Sequence, residues 1–131
     1  MCRQRRKMAK EQAIREYWAK VPGFYERKGF DSADEFLEHG TCFACGFIYR
    51  DPPQRAHIYP HVKGGSGDPD NLHMLCYVCH KDSEHLEGDA YWDWFWERDF
   101  LSAALSLACR NGNNFGYLLP LAAASRRRPP I

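Results

Sequence analysis

Two Cys-x-x-Cys pairs, Cys42/Cys45 and Cys76/Cys79, constrain this chain more than any other feature of its sequence. Each pair presents two thiols from one tight turn, and two such turns brought together make a tetrahedral four-sulfur site that suits zinc. Soft thiolates hold zinc without redox change, and a closed four-sulfur shell leaves no open position for a substrate, so the expected role is a structural clip. The clip is expected to fasten the hairpin between the knuckles to the helix that follows, and to contribute folding free energy. The bland alternative is two buried thiol pairs without metal.

A disulfide reading of the same cysteines depends on compartment. No apolar run in the sequence approaches the length of a membrane span, and the first residues lack the apolar centre of a secretory signal. The expectation is a soluble, cytoplasmic protein with no membrane partner, where thiols stay reduced and paired Cys-x-x-Cys motifs point to metal. Of the six cysteines, Cys2 and Cys109 are left over, and Cys109, within an apolar stretch, reads as a small buried hydrophobe.

The 131 residues suit one domain with one core, residues 1–131, and the 44% hydrophobic and 15% aromatic content argues for a packed globule. A net charge of +1 does not announce a nucleic-acid binder, but Arg3, Arg5, Arg6, Lys7 and Lys10 crowd the start and Arg126, Arg127 and Arg128 the end. Such basic ends either supply phosphate contacts by counterion release or are solvated termini, and residues 125–131 read as a flexible tail.

Around the knuckles the periodicity reads as follows. Ile14, Tyr17, Trp18 and Val21 make an amphipathic stripe over Met8 to Lys20, stopped by Pro22-Gly23. Ser32-Ala-Asp-Glu35 is a capping box opening a second helix that Gly40 stops. These helices make an N-terminal layer, residues 8–40, over a core module of residues 41–86. Phe43 to Arg50 and Arg55 to Tyr59 read as strands, Pro60 to Pro69 as a loop rich in glycine, and the second knuckle as the start of a helix carrying His80. Gly88-Asp89 then caps a helix of residues 89–110, bearing Trp92, Trp94 and Trp96 and apolar nearly all round, so it is sandwiched in the core or offers a face for a homodimer.

Between the knuckles lie Arg55-Ala56-His57-Ile58-Tyr59-Pro60, Lys63-Gly64-Gly65 and Asp68-Pro69-Asp70-Asn71-Leu72, leading into Cys76-x-x-Cys79-His80. In identity, order and spacing this resembles the HNH endonuclease family, in its subset stapled by a four-cysteine zinc site, from Cys42 to about Leu86. The resemblance implies a small α+β fold, a ββα-metal hairpin with the four-cysteine zinc clip, flanked by N-terminal and C-terminal helices. It implies DNA as partner and a hydrolase whose general base is His57, whose loop is pinned by Asn71, and whose catalytic divalent cation, Mg2+, Mn2+, Ni2+ or Zn2+, is held by His80. Cleavage would leave a 5′-phosphate and a 3′-hydroxyl.

The chemistry is coherent from below. An anionic phosphodiester repels a nucleophile, so its hydrolysis needs a base for water and a cation against the charge that builds on oxygen. Arg55, Lys63 and Lys81 are candidates for phosphate contacts. One place departs from the pattern: many family members carry an acidic or histidine ligand immediately before the base, and here that place is Ala56. His61 is the preferred substitute ligand, with His85 and Asp70 behind it, and the alternative exchanges duties, with His57 in the metal shell and His61 as base. His73, between Leu72 and Met74, reads as structural, and His39 as a cation near a helix end. The competing functions are a zinc-stabilised binding module that no longer cleaves, motivated by Ala56, and a protein-interaction domain built on the tryptophans.

Overall fold

The computed structural model describes residues 7–38, 40–48 and 51–111. His39, Cys2, the arginines at positions 3, 5 and 6 and the tail of residues 125–131 lie outside the described residues. Among the described residues, six α-helices and one two-stranded antiparallel sheet make up a small α+β fold. The order is α1 (Glu11–Ala19), α2 (Phe24–Arg27), α3 (Ala33–Glu38), β1 (Gln54–His57), β2 (Leu72–Leu75), α4 (Tyr77–Ser83), α5 (Asp89–Glu97) and α6 (Phe100–Asn111).

The amphipathic stripe forms α1, which buries Ile14 and Trp18. Two of its polar groups reach across the fold. The Trp18 indole N–H donates to the carbonyls of Leu72 at 2.8 Å and Pro69 at 3.0 Å, and the buried Arg15 donates to the Thr41 carbonyl at 2.9 Å. A helix near the start of the chain is thus bolted to both β2 and the first knuckle. Gly23, at φ +76°, ends the run but lets the chain resume at once as the single turn α2, which buries Phe24. The capping box holds α3 as expected: Glu35 N donates to Ser32 Oγ at 3.1 Å, while the Glu35 carboxylate accepts from the Asp31 amide at 2.6 Å.

Two expectations about the elements are corrected. The stretch from Phe43 contains no strand among its described residues, because the knuckle needs a bend. Gly46, at φ +73°, donates to the Cys42 carbonyl at 2.9 Å, and Cys42 N donates back to Phe47 O at 3.0 Å. The partner of β1 is instead β2, with Gln54 opposite Leu75 and His57 opposite Leu72. The hairpin therefore runs strand, loop, strand, helix. The second correction concerns the C-terminal helix, which is two helices. Arg98 is extended (ψ 136°), the Lys28 ammonium caps the carbonyls of Phe95 and Arg98, and Asp99 and Ser102 trade side-chain-to-backbone bonds at 2.9 and 3.1 Å that start α6.

Tyr91 and Phe95 of α5 enter the core, and Trp92, Trp94 and Trp96 pack half-buried against it. His73 sits at the centre, fully buried, stacked on Phe95 at 4.5 Å between ring centroids and hydrogen-bonded through Nδ1 to the Tyr91 hydroxyl at 2.6 Å. Its structural reading fits that setting. Cys109, by contrast, is exposed on α6 rather than buried. Among the described residues no helix is long and apolar enough to cross a membrane.

Candidate metal centre and histidine site

The four knuckle cysteines converge. All four sulfurs lie within 4.8 Å of one another, each residue is buried, and Cys45 Sγ is 4.0 Å from Cys76 Sγ. A tetrahedral ion with bonds of about 2.3 Å needs sulfurs about 3.8 Å apart, so contraction by less than about 1 Å completes the shell. Electrostatics favour a cation there. Burial opposes ionisation of Cys42, but hydrogen bonds from Cys45, Cys76 and Cys79 outweigh it and lower its pKa, while the Cys45 and Cys79 thiols are pushed up, first of all by their bonds to Cys42. The Cys76 thiol is lowered as well, so the four divide two and two, and a metal's positive charge would favour the thiolate at all four. The cluster can hold a metal ion. Arg98 supplies further positive charge, its Nε donating to Cys79 Sγ at 3.3 Å and its Nη2 meeting the Asp82 carboxylate at 2.6 Å.

Antiparallel pairing sets the second group of residues. His57 ends β1, and beyond it the chain leaves the ladder as a loop that returns at Asn71. The Asn71 side chain closes that loop. Its oxygen accepts from Tyr59 N at 2.8 Å, and its amide donates to Ser66 O at 2.8 Å and Tyr59 O at 3.1 Å, while its backbone carbonyl accepts from Ile58 N at 2.8 Å. Gly65 is required where the loop crosses itself, since a Cβ there would lie 1.9 Å from the Tyr59 carbonyl oxygen. Gly67 meets the chain ahead of α1 in the same way, 2.0 Å from the Lys7 carbonyl oxygen, and its own carbonyl accepts from Ala9 N at 2.8 Å.

Within this loop His57 and His61 come together, ring centroids 5.3 Å apart, with His57 half-buried and His61 exposed at the head of a 3-10 turn. His80 lies one residue past Cys79 on α4, half-buried, its Nδ1 2.6 Å from the Gln54 side-chain oxygen. Burial, with Lys81 assisting and Glu84 opposing, lowers its pKa and favours the neutral imidazole that a metal requires. Among the described residues the four cysteines are the group of three or more candidate ligands that gathers within 4.8 Å, so His57, His61 and His80 do not form such a set, nor do His85 and Asp70 join one. Ala56 is buried at 3% exposure.

Residues 42–85 match the model of the HNH endonuclease family. No curated protein and no solved structure matches the chain. The HNH segment contains both knuckles, both strands and α4, so the match coincides with the ββα unit, and the cysteine cluster is compatible with the zinc-bearing subset. A nucleic-acid-related function follows for the HNH segment, and HNH nucleases are metal-dependent.

The phosphate-contact candidates differ in their surroundings. Lys63 is paired with Glu87 at 2.7 Å, Arg55 donates to Ala9 O at 3.1 Å, and Lys81 stands 3.8 Å from Glu84. Sequence reading missed Gln54 and Arg98. Nothing in the sequence marks Gln54, which is an isolated polar residue at a strand start, but Asp99-x-x-Ser102 is a capping signal that announces the helix break beside Arg98.

Proposed function

We propose that the chain is a metal-dependent endonuclease that hydrolyses DNA phosphodiester bonds, with zinc in the cysteine clip. The observation that carries this reading is the threefold side-chain clamp of Asn71 on the loop that leaves His57. A loop held only by solvent would let the imidazole wander, whereas a base must be positioned within hydrogen-bond reach of the proton it takes.

In this reading His57 accepts a proton from water as the water attacks phosphorus in line with the leaving 3′-oxygen of the neighbouring nucleotide, giving a 5′-phosphate and a 3′-hydroxyl. His80 is the side chain that would hold the catalytic divalent cation, with His61 as its expected second ligand. Bound there, the cation would offset charge on the phosphoryl and leaving oxygens. Exchange of duty between His57 and His61 is the variant that their 5.3 Å approach keeps open. Lys10 and Arg55, with Glu11 beside them, line an open cleft of about 500 Å3 next to β1, and the two cations are candidates for contacts to a phosphate backbone.

The test is plasmid nicking by zinc-loaded protein with Mg2+, Mn2+ or Ni2+. Wild type is expected to nick, and His57→Ala to lose about 10²–10⁴-fold in rate. No cleavage by wild type, or equal cleavage by the variant, overturns the reading. Ala56 favours a second one, a zinc-stabilised module that binds DNA without cutting it, and binding without nicking under all three cations would establish that instead.

A further inference from the structure

Ala56 offers no donor atom, so on the proposed nuclease reading the cation depends more heavily on His80, and what aims His80 becomes decisive. We infer that Gln54 is the positioning residue for the His80 imidazole: it fixes the proton on Nδ1 and leaves Nε2 as the metal-facing nitrogen. This inference rests on the nuclease reading only for its consequence in catalysis, since its geometry stands by itself.

Gln54 opens β1 on the same side of the strand as Ala56, two residues away, and pairs with Leu75, the residue before Cys76. His80 N donates to the Cys76 carbonyl at 2.8 Å, so the knuckle and β2 jointly bring the imidazole over the start of β1. There the Gln54 oxygen lies 2.6 Å from Nδ1. Two chemistries fit a pair of neighbouring donor atoms, and distance separates them. Atoms sharing one small divalent cation at about 2.0–2.1 Å stand about 3 Å apart at cis octahedral positions and further apart in a tetrahedron. The observed contact is shorter than either and falls in the range of a hydrogen bond. An amide oxygen only accepts, so Nδ1 carries the hydrogen and Nε2 keeps its lone pair.

A carboxylate is the usual partner for a metal-binding imidazole, and a side-chain amide differs in a defined way. It fixes the tautomer without adding charge. The alternatives at this position follow directly: Gln54→Glu keeps an acceptor of the same length, and Gln54→Leu keeps the bulk and loses the acceptor. Gln54 is exposed at the strand's end, and equal urea midpoints for the three proteins check that the fold is retained.

The experiment uses the full chain loaded with zinc and labelled with 15N at histidine. Long-range 1H–15N correlation spectra assign the proton of His80 to Nδ1 in wild type and Gln54→Glu, and no longer to Nδ1 alone in Gln54→Leu. Titration with Mn2+ alone in a calorimeter gives an affinity about 10–100-fold weaker for Gln54→Leu, restored by Gln54→Glu. A wild-type His80 protonated at Nε2, or a Gln54→Leu variant with unchanged tautomer and unchanged Mn2+ affinity, overturns the inference while nicking persists. Wild type that shows the expected tautomer and Mn2+ binding but never nicks sinks the nuclease reading and upholds Gln54. Absence of Mn2+ binding by wild type overturns the metal-facing role given to Nε2, while the nuclease reading is decided separately by nicking under Mg2+, Mn2+ and Ni2+.

Discussion

Replacing Asn71 tests how far one side chain governs the histidine loop. Its three side-chain hydrogen bonds, to Tyr59 N, Tyr59 O and Ser66 O, are each worth about 0.5–1.5 kcal/mol net. Asn71→Ala removes all three, but the freed groups lie near the surface where water replaces part of the loss, which places the cost near the lower bound, about 1.5–2 kcal/mol. Asn71→Asp has the same shape and keeps the acceptor for Tyr59 N while turning two donors into acceptors that face carbonyls. Losing two bonds costs about 1–3 kcal/mol, with carboxylate-carbonyl repulsion added. Urea unfolding measures the totals, and amide hydrogen exchange separates the parts. The Tyr59 amide should exchange faster in Asn71→Ala, by about fivefold for each kcal/mol of local protection lost, and remain bonded in Asn71→Asp. The Ile58 amide, bonded to the Asn71 backbone carbonyl, is the internal control in both. An Asn71→Ala protein whose Tyr59 amide exchanges at the wild-type rate, or an Asn71→Asp protein of unchanged stability, would refute the clamp.

Gly65→Ala drives a Cβ into the Tyr59 carbonyl and is expected to cost about 1–3 kcal/mol and to abolish nicking; a wild-type urea midpoint would show that the loop yields freely. Cys76→Ser should reduce metal content from one zinc per chain to none and end cooperative melting, and retained zinc would contradict the clip. Arg98→Met should lower stability by about 1.5–3 kcal/mol through the lost contacts to Asp82 and Cys79, read by thermal melting. His73 is held neutral by burial, with Lys28 assisting, so its folded pKa lies well below the unfolded value of about 6.5. The unfolded chain then binds more protons below that value, and His73 should lower stability on acidification by up to about 1.4 kcal/mol per pH unit below about pH 6.5, a contribution that His73→Phe should take out while that of His80 stays.

The parts of the fold legible in the sequence are those set by neighbours along the chain. The stripe of α1, the capping box of α3 and the cysteine spacing all act through residues a few positions apart. The true partner of β1 was not legible, because four buried residues, Leu72 to Leu75, carry no alternation that distinguishes a strand from the approach to a knuckle. The break between α5 and α6 was only half legible: Asp99 and Ser102 mark the start of α6, whereas the Lys28 ammonium that closes α5 comes from far away in sequence. At the candidate site the types and order of His57, Asn71 and His80 were readable. Gln54 was not, since its meaning arises only when α4 folds over the start of β1.

Cys79 and His80 are consecutive, yet the first is sealed and the second half open to solvent. On the proposed reading this gives the two ions different histories. Zinc enters as the chain folds, behind four buried sulfurs, whereas the catalytic ion comes and goes from a finished protein. A chelator would therefore act in two steps, a fast and reversible loss of activity followed by a slow one that fresh Mg2+ cannot restore.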